Sequence, residues 1–428
     1  MSYRRIPDEV IEAVLKHHDI VDIVGKYVHL NKQGHYMKGL CPFHSEKSPS
    51  FTVTPEKQFY YCYGCQSGGN AIHFLMEMEG YNFSEAIQHM AAEANIPLQL
   101  EPSTPERSKQ QEETAILLKA HELVTKYYHY ILLNTDQGKQ GMTYLRARGL
   151  SEQWIEYFGI GMAPPFWDSL AQFLHKREYD LPLMEKGGLI TPKSSGSGYI
   201  DKFRERIIFP IHDHRGKVIA FAGRALGDAK PKYMNSPETQ LFNKSQTLFH
   251  YDQARSAIRK LRQAVLFEGF MDVIKARMSG IENAVGTMGT ALTEEHAMLL
   301  RRQADEVIVC YDGDSAGQNA AYKAIDILEQ AGLQAKIALL PNAMDPDEYI
   351  SEHGGEAFRN EIIGMHVVAT KYKLIHARRQ FNVHEPDGQM RYIGTAVKLI
   401  AGLDSPVERE HYVKEIAAEF TNFFIRND

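Results

Sequence analysis

Three short apolar runs between residues 264 and 347 each lead into acidic side chains, and this pattern constrains the fold more than any other stretch. The runs are Ala-Val-Leu-Phe before Glu268, Val-Ile-Val-Cys-Tyr before Asp312, and Ala-Lys-Ile-Ala-Leu-Leu before the turn to Asp345. Such runs are typical of buried strands followed by functional loops. Helical patterns lie between them, at 272–278, 293–303 and 315–331. The alternation predicts a parallel α/β sheet whose strands all open on one edge, where ligands bind.

The acidic residues at that edge predict a divalent-metal site. The candidates are Glu268, Asp312, Asp314, Asp345 and Asp347. Acids two apart in extended backbone point to the same side, so each Asp-x-Asp pair aims at one place. Crowded carboxylates need a cation, and all-oxygen ligands favour Mg²⁺ or Mn²⁺. Two or more ions, roughly 4 Å apart, would stabilise both oxygens of a displacement at phosphorus, which predicts phosphoryl transfer. The competing interpretation is a set of solvated loop acids.

A second motif near the amino terminus predicts one structural zinc ion. Cys41-Pro-Phe-His44 and Cys62-Tyr-Gly-Cys65 are separated by seventeen residues. Two C-x-x-[CH] turns supply four tetrahedral ligands and leave no open position for catalysis. Disulfide pairing is the rival interpretation, but it would leave His44 unexplained, and neither His29 nor His35 fits the pair spacing.

Short strand patterns surround the zinc motif, at 35–40, 50–54 and 58–62, so a zinc ribbon is expected. Aromatic rings alternate with lysines along it, and about half of the rings should form a small core. The rest suit single-stranded DNA, because rings stack on bases while lysines hold phosphates. Lys57 and Tyr61 are the template-binding candidates.

The segment from Asp201 to Arg262 is the basic surface of the chain. It carries 13 Lys and Arg against 6 Asp and Glu, a balance of +7 in a chain whose net charge is −6. The overall charge offers no general attraction to nucleic acid, so binding must use such a local patch. Arginine forks and compact lysine charges together suit phosphate and template.

Several of these motifs resemble known families. Glu268-Gly269, the turn at 286–292, Asp312-Gly-Asp314 and Asp345-Pro-Asp347 are similar to the Toprim fold of topoisomerases and primases. The whole chain resembles the bacterial replicative DNA primase of the DnaG type. The motifs at 204–211, 221–224 and 231–239 match that family in order and spacing. The stretch at 144–150 resembles a turn of the family whose final arginine faces the nucleic acid, although an arginine at a helix end is an equally ordinary explanation of Arg148.

The resemblance implies synthesis of short RNA primers from ribonucleoside triphosphates on single-stranded DNA. It carries nucleotide and template contacts onto matching positions here, which are Arg148, Arg204, Arg206, Arg224, Lys232 and Tyr233. Glu268 is then either a metal ligand or the general base. Asp272 matches a Glu-Gly-x-x-Asp pattern, although a helix-start acid favoured by the dipole is the plainer explanation.

The fold class that follows is α/β, or α+β over the whole chain. We expect a zinc-ribbon domain at 1–100, a flexible linker at 101–112, a mixed α+β basic subdomain at 113–243, a Toprim parallel sheet at 244–355 and C-terminal helices at 356–428. No apolar run approaches the roughly 20 residues of a membrane span, and the first residues lack a signal-peptide core. A cytoplasmic monomer at the replication fork is expected, without membrane contact.

Two further expectations concern partners and rivals. The resembled family continues past Asp428 into a helicase-binding domain, so the replicative helicase site is expected to be absent and the C-terminal helices to support the sheet. The rival enzyme is a topoisomerase or Toprim nuclease, which would cleave DNA. The rival from another class is a non-catalytic zinc-and-Toprim adaptor, which would bind DNA without turnover and would not need the complete acid set.

Overall fold

The protein forms two compact units, Met1–Arg262 and Gln263–Asp428. The computed structural model describes residues 6–43, 46, 48–79, 81, 83–97, 105–194, 196–227, 230–341 and 343–424. The boundary falls after Arg262 rather than after Asn243, because the helix at 251–261 belongs to the first unit, and its amphipathic pattern alone cannot say which core it covers. Across the described residues, no helix is both long enough and apolar enough to cross a bilayer.

The first unit begins with a five-stranded antiparallel ribbon in the order β1-β2-β3-β4-β5. Its strands are β1 (Asn31–Gln33), β2 (Tyr36–Gly39), β3 (Phe51–Thr54), β4 (Phe59–Cys62) and β5 (Gly68–Gly69). Four helices accompany it, α1 (Asp8–His17), α2 (Ile20–Gly25), α3 (Ala71–Glu79) and α4 (Phe83–Glu93). Alternate residues of β3 and β4 face inward, so Phe51 and Tyr60 stack in the core beside Phe74 of α3. The predicted ribbon is confirmed.

The remainder of the first unit packs helices around a four-stranded antiparallel sheet, ordered β11-β10-β9-β6, and a hairpin of β7 and β8. The strands are β6 (Gly161–Ala163), β7 (Ile190–Pro192), β8 (Tyr199–Asp201), β9 (Arg206–His212), β10 (Val218–Ala225) and β11 (Tyr233–Asn235). The helices are α5 (Pro105–Asn134), α6 (Lys139–Ala147), α7 (Glu152–Tyr157), α8 (Ser169–His175), α9 (Leu181–Lys186) and α10 (Tyr251–Leu261). Two 3₁₀ turns lie here, at Asp136–Gly138 and Lys244–Gln246, and another lies in the ribbon at Pro55–Lys57.

The expected linker differs in the structure. Helix α5 starts at Pro105, so residues 105–112 are helical, while 101–104 lie outside the described residues. Proline suits the first helical position, and the glutamate, lysine and glutamine residues that follow are good helix formers. The composition of this part of the helix is as polar as that of a linker, because it carries no large apolar side chain.

The second unit contains a five-stranded sheet ordered β13-β12-β14-β15-β16, in which the first four strands are parallel and β16 is antiparallel. The strands are β12 (Gln263–Phe267), β13 (Ala284–Gly286), β14 (Glu306–Val309), β15 (Gln334–Ile337) and β16 (Val367–Val368). The helices are α11 (Phe270–Met278), α12 (Glu294–Arg301), α13 (Ser315–Gln330), α14 (Pro346–Ala357, kinked at Gly354), a π-helical turn (Phe358–Ile363), α15 (Ala369–Arg378), α16 (Pro386–Ala401) and α17 (Pro406–Phe424). The predicted parallel sheet is confirmed, and the last three helices share a separate small core.

Candidate catalytic and nucleic-acid-binding sites

The thiols of Cys41, Cys62 and Cys65 lie within 4.8 Å of one another, and among the described residues they form the one such metal-ligand group. The Sγ atoms of Cys41 and Cys65 are 3.7 Å apart, well beyond the roughly 2.05 Å of a disulfide bond. The disulfide interpretation is therefore excluded for these residues. His44, the predicted fourth ligand, lies outside the described residues.

Hydrogen bonds to Cys62 favour the thiolate form, which is the form that binds metal. The Cys62 Sγ accepts the Gly64 and Cys65 amides at 3.3 and 3.4 Å and lies 3.2 Å from Ser50 Oγ. Burial alone would raise the pKa of Cys62, but these hydrogen bonds outweigh burial, so its pKa lies below the ordinary value. Backbone amides that stabilise thiolate are the usual surroundings of a zinc ligand, so the donor set fits zinc.

The outer face of the ribbon keeps part of the predicted aromatic surface. Phe43, Phe51 and Tyr60 are buried, whereas Tyr63 is 74% exposed. Tyr61 is half-buried with its ring 5.1 Å from that of Tyr63, and Lys57 is exposed at the end of a 3₁₀ turn. The expectation that some rings form the core and others stay accessible agrees with this arrangement.

In the second unit, strand register brings the predicted acids to one edge of the sheet. Leu266 of β12 pairs with Val309 of β14, so the residues after both strands emerge side by side. Glu268 Oε1 accepts the Asp312 amide at 3.4 Å, which joins the first two acidic loops. The Gly313 amide donates to Met344 O at 2.9 Å, which joins the third.

Two of the acids also cap helices. Asp314 Oδ1 accepts the Gly317 amide at 2.7 Å at the start of α13, and Asp345 Oδ1 accepts the Glu348 amide at 2.7 Å at the start of α14. Caps fix side-chain direction and place each carboxylate at the positive end of a helix dipole. In both caps the accepting atom is Oδ1.

The pKa shifts show that these carboxylates repel one another. Burial, and then the charges of Asp312 and Asp314, raise the pKa of Glu268 to about 7. Burial, and then the charges of Asp345, Asp314 and Glu348, raise the pKa of Asp312 to about 6. Carboxylates held this close stay partly protonated at neutral pH until a cation neutralises them.

Asp272 belongs to the same group, although sequence analysis favoured a plain helix-start role. It accepts the Gly269 amide at 3.2 Å, and a Cβ on Gly269 would lie 2.8 Å from its Oδ2. Burial, and then the charges of Asp312, Asp345 and Asp347, raise its pKa well above the ordinary value. We call the six acids the acid rim: Glu268, Asp272, Asp312, Asp314, Asp345 and Asp347.

Asp347 is a buried member of the acid rim. Its side chain is 6% exposed and lies 3.4 Å from the Nζ of Lys275, a buried residue of α11 that sequence analysis did not single out. The two residues are on different helices, 72 positions apart in the sequence, so no local pattern could have linked them.

The donors of the acid rim fit hard divalent ions. All are oxygen atoms, and the loops that carry them meet through the Asp312 amide on Glu268 Oε1 and the Gly313 amide on Met344 O. Among the described residues no three of these carboxylates have ligand atoms within 4.8 Å of one another. Mg²⁺ usually keeps several waters and takes phosphate oxygens of the substrate as further ligands.

In the first unit, Arg224 is held between two aromatic rings. Its guanidinium carbon lies 4.9 Å from the ring centres of both Tyr144 and Tyr233, and it donates to the Tyr233 hydroxyl. The side chain is 6% exposed, and its Nε has no hydrogen-bond partner among the described residues. Such a donor gains from an anionic ligand, since an unmade buried hydrogen bond costs about 1–3 kcal/mol.

Other predicted basic residues surround Arg224. Arg148 lies 5.5 Å from the Tyr144 ring, Lys232 Nζ lies 5.8 Å from the Tyr233 ring, and Arg206 donates to Lys232 O at 3.4 Å. Burial, and then the neighbouring Arg204, lower the pKa of Arg206. We call Arg148, Arg206, Arg224 and Lys232, with Tyr144 and Tyr233, the arginine cluster.

Arg204 has a different aromatic partner, which sequence analysis missed. Its guanidinium lies 4.3 Å from the ring centre of Trp167, and Trp167 is 64% exposed, next to Phe166, which is also exposed. The Asp201 amide donates to Trp167 O at 2.7 Å, which anchors the loop to β8. Trp167 is one of two tryptophans in the chain and follows Pro164-Pro165-Phe166, a composition that could have indicated an exposed loop.

A zinc-binding ribbon and a parallel sheet with an acidic edge define a metal-dependent enzyme of the Toprim class that acts on nucleic acid. Comparison with protein-family models agrees, with matches to a CHC2 zinc finger at 6–106, to the N-terminal domain of the DNA primase catalytic core at 127–255 and to a Toprim-like domain at 265–350. The DNA primase of Halalkalibacterium halodurans is 45% identical over 98% of this chain and 69% of its own length.

The chain therefore belongs to the bacterial DNA primase family and is a nucleotidyltransferase that makes RNA primers. A crystal structure of the Aquifex aeolicus primase, with zinc-binding and RNA polymerase domains, is 31% identical and covers 96% of this chain and 97% of its own, with a TM-score of 0.60. A DnaG catalytic domain solved with single-stranded DNA is 31% identical over 73% of this chain and 98% of its own, with a TM-score of 0.62.

One expectation is wrong. Residues 370–421 match the DnaB-helicase binding domain of primase, so the expectation that the helicase-binding domain is absent is overturned. This segment comprises most of α15, α16 and α17. The sequence pattern indicates only a supporting role for this segment, because a helical docking surface needs no catalytic motif and is defined by its exposed side chains.

Proposed function

We propose that the acid rim joins ribonucleoside triphosphates on a single-stranded DNA template and releases pyrophosphate. Asp312, Asp314, Asp345 and Asp347 would hold two or more Mg²⁺ or Mn²⁺ ions, and Glu268 would be a further ligand or the general base. The bound ions would supply charge stabilisation at the reacting phosphate. Both roles of Glu268 need a carboxylate at the end of β12, where the primer 3′-hydroxyl must lose its proton.

The arginine cluster would hold the triphosphate and the template backbone. Supporting this, the two rings pre-orient the fork of Arg224, and a planar guanidinium recognises phosphate oxygens in pairs. Arg204 and Trp167 would form a second contact, in which an unpaired base stacks on the exposed indole. A family member solved with single-stranded DNA supports a template of that kind.

The zinc ribbon would read the template with Lys57 and Tyr61, and His44 would complete its zinc site with three cysteines. We propose a template-binding module at 1–100, a basic subdomain that continues to residue 262, a Toprim subdomain at 263–355 and helices at 356–428. The exposed side chains of Met390 and Val397 on α16 offer an apolar helicase contact within the matched segment. The protein would act as a cytoplasmic monomer at the replication fork.

One observation carries the proposal, namely that backbone hydrogen bonds bring the three acidic loops together, with the Asp312 amide donating to Glu268 Oε1 and the Gly313 amide donating to Met344 O. The test is primer synthesis on a defined single strand with labelled ribonucleotides, in Mg²⁺ and in Mn²⁺, with zinc retained. Asp312→Asn should lower synthesis by at least about 1000-fold, because it removes charge stabilisation at the reacting centre.

Asp326→Asn is the matched control, since Asp326 lies on α13 of the same unit and pairs with Lys373 instead. This variant should retain full synthesis. Equal rates for the wild-type protein and Asp312→Asn would exclude the acid rim as the polymerising site. Cleavage of labelled DNA without primer synthesis would favour a Toprim nuclease instead.

A further inference from the structure

Lys275 is a buried cation beside the acid rim. It lies on α11, about one turn after Asp272, and its side chain is 7% exposed. Lysine is almost never buried without a partner, because removing its charge from water is costly. Its burial therefore needs an explanation in terms of the groups it faces.

The side-chain ammonium of Lys275 contacts two residues of α14. Its Nζ lies 3.4 Å from Asp347 Oδ1 and donates to Ser351 Oγ at 3.3 Å. Ser351 Oγ in turn donates to Asp347 Oδ1 at 3.4 Å. Lysine and serine thus act on the same carboxylate oxygen, and Asp347 Oδ2 takes part in neither contact.

We propose that Lys275 is a resident counter-ion of the acid rim, which holds Asp347 in position and offsets part of the rim's negative charge before divalent ions bind. The inference rests on the proposed function, because it assumes that the ions bind at the rim. Lys275 is a positioning residue, since its contact is with Asp347 and not with the reacting atoms.

This arrangement has a consequence that a purely structural ion pair would not have. Without Lys275, the metal-free rim would carry one more uncompensated negative charge, and Asp347 would be a buried carboxylate without its lysine. Divalent ions at the rim would supply the missing positive charge. The effect of losing Lys275 should therefore be large without metal and small with it.

The test is hydrogen–deuterium exchange of the full-length Lys275→Met variant, with and without saturating Mg²⁺ and with zinc retained. In the absence of Mg²⁺, peptides covering 270–278 and 346–357 should exchange at least about tenfold faster than in the wild-type protein. With Mg²⁺ the difference should fall to about threefold or less. The variant should also gain more protection from Mg²⁺ than the wild-type protein gains.

Three variants serve as controls. Lys275→Arg keeps the charge and should behave as the wild type, and Lys275→Met combined with Asp347→Asn removes both charges and should recover most metal-free protection. Lys373→Met breaks an ion pair with Asp326 and Glu329 elsewhere in this unit, so any effect it has should be the same with and without Mg²⁺.

The outcomes separate the inference from the proposed function. If Lys275→Met accelerates exchange equally in both conditions, Lys275 is an ordinary structural residue and the inference is wrong. The same conclusion follows if the double variant is no better protected than Lys275→Met. If Mg²⁺ does not slow exchange at the wild-type rim, and the wild-type protein and Asp312→Asn respond to Mg²⁺ in the same way, the proposed metal site fails. The inference then fails with it.

Discussion

The acid rim and the arginine cluster handle crowded like charges in opposite ways. In the acid rim the carboxylates face one another, and burial with mutual repulsion raises the pKa of Glu268 to about 7. In the arginine cluster the cations share aromatic rings, with Arg148 and Arg224 both over the ring of Tyr144 and with Arg224 and Lys232 both over that of Tyr233. The negative face of an aromatic ring attracts cations placed over it.

This difference indicates how each site relates to its ligand. The acid rim is at high electrostatic energy without metal, so metal binding should change its stability and its protonation. The arginine cluster is already compensated by its rings, so it should keep its geometry in the absence of nucleotide. Substitutions in the acid rim should therefore remove activity because they abolish metal chemistry. Substitutions in the arginine cluster should lower activity because phosphate binds more weakly and in the wrong position.

The largest effect is expected from Glu268→Gln in the acid rim. The amide keeps the shape but can neither bind a cation strongly nor accept the proton of the 3′-hydroxyl, so dinucleotide formation should fall by at least about 1000-fold. Single-turnover assays with labelled ribonucleotides measure this loss. Glu282→Gln, at an exposed position of the same unit, should be active, and dinucleotide synthesis by Glu268→Gln would remove Glu268 from the mechanism.

A smaller loss is expected in the arginine cluster. Arg224→Lys keeps the charge but loses the planar fork between Tyr144 and Tyr233, so primer synthesis should fall by about 10- to 100-fold, mainly through KM for the triphosphate. Steady-state kinetics separate KM from kcat. Arg177→Lys is the control, since Arg177 also covers a ring, that of Phe173 at 3.8 Å, outside the cluster. Equal effects in both variants would mean that the aromatic sandwich is only structural.

The two sites also differ in how far sequence could predict them. Glu268, Asp312 and Asp345 follow apolar strands, and a parallel sheet must bring such residues to one edge, so their convergence follows from a local pattern. The cysteine pairs are local in the same way. Tyr144 and Arg224 meet across 80 positions, and only the packing of α6 against the sheet brings them together.

Helix α11 shows the same limit within a few residues. Its apolar and charged side chains alternate, and both Asp272 and Lys275 are buried, so no amphipathic stripe distinguishes the face that meets the acid rim. The sequence also does not reveal that α5 starts at Pro105, because a solvated helix and a polar linker have similar compositions. A charged side chain is buried where other helices or strands supply its partners, and the sequence of one element does not identify those partners.

A moderate effect is expected at Trp167, which has no counterpart in the acid rim. Trp167→Ala should weaken binding of single-stranded template by about 5- to 100-fold, because one stacked base contributes about 1–3 kcal/mol. Fluorescence anisotropy with a labelled strand measures the affinity, and Trp154→Ala tests whether loss of any tryptophan suffices. Trp154 stacks internally on Phe158, so its loss should reduce stability more than template affinity. Unchanged affinity for Trp167→Ala would assign Arg204 and Trp167 a structural role.

The smallest effect is a pH dependence that only the acid rim should show. The pKa of Glu268 rises from its ordinary 4.5 to about 7 and that of Asp312 from 3.8 to about 6, so the folded state holds protons that the unfolded state has released. Metal-free stability of the second unit should therefore fall as pH rises from about 4 to about 7, and Mn²⁺ affinity should rise over the upper part of that window. Between pH 5 and pH 7, exchange of 270–278 should accelerate by about tenfold after correction for intrinsic exchange, which is what the smaller of the two shifts, that of Asp312, contributes alone. Combining Glu268→Gln with Asp312→Asn should reduce both trends and leave the part that Asp272 contributes, because burial raises the pKa of Asp272 as well. Peptides of the arginine cluster should show neither trend. Metal-free stability that rises with pH would mean that the rim carboxylates are not destabilised by one another, and the contrast between the two sites would then have to be abandoned.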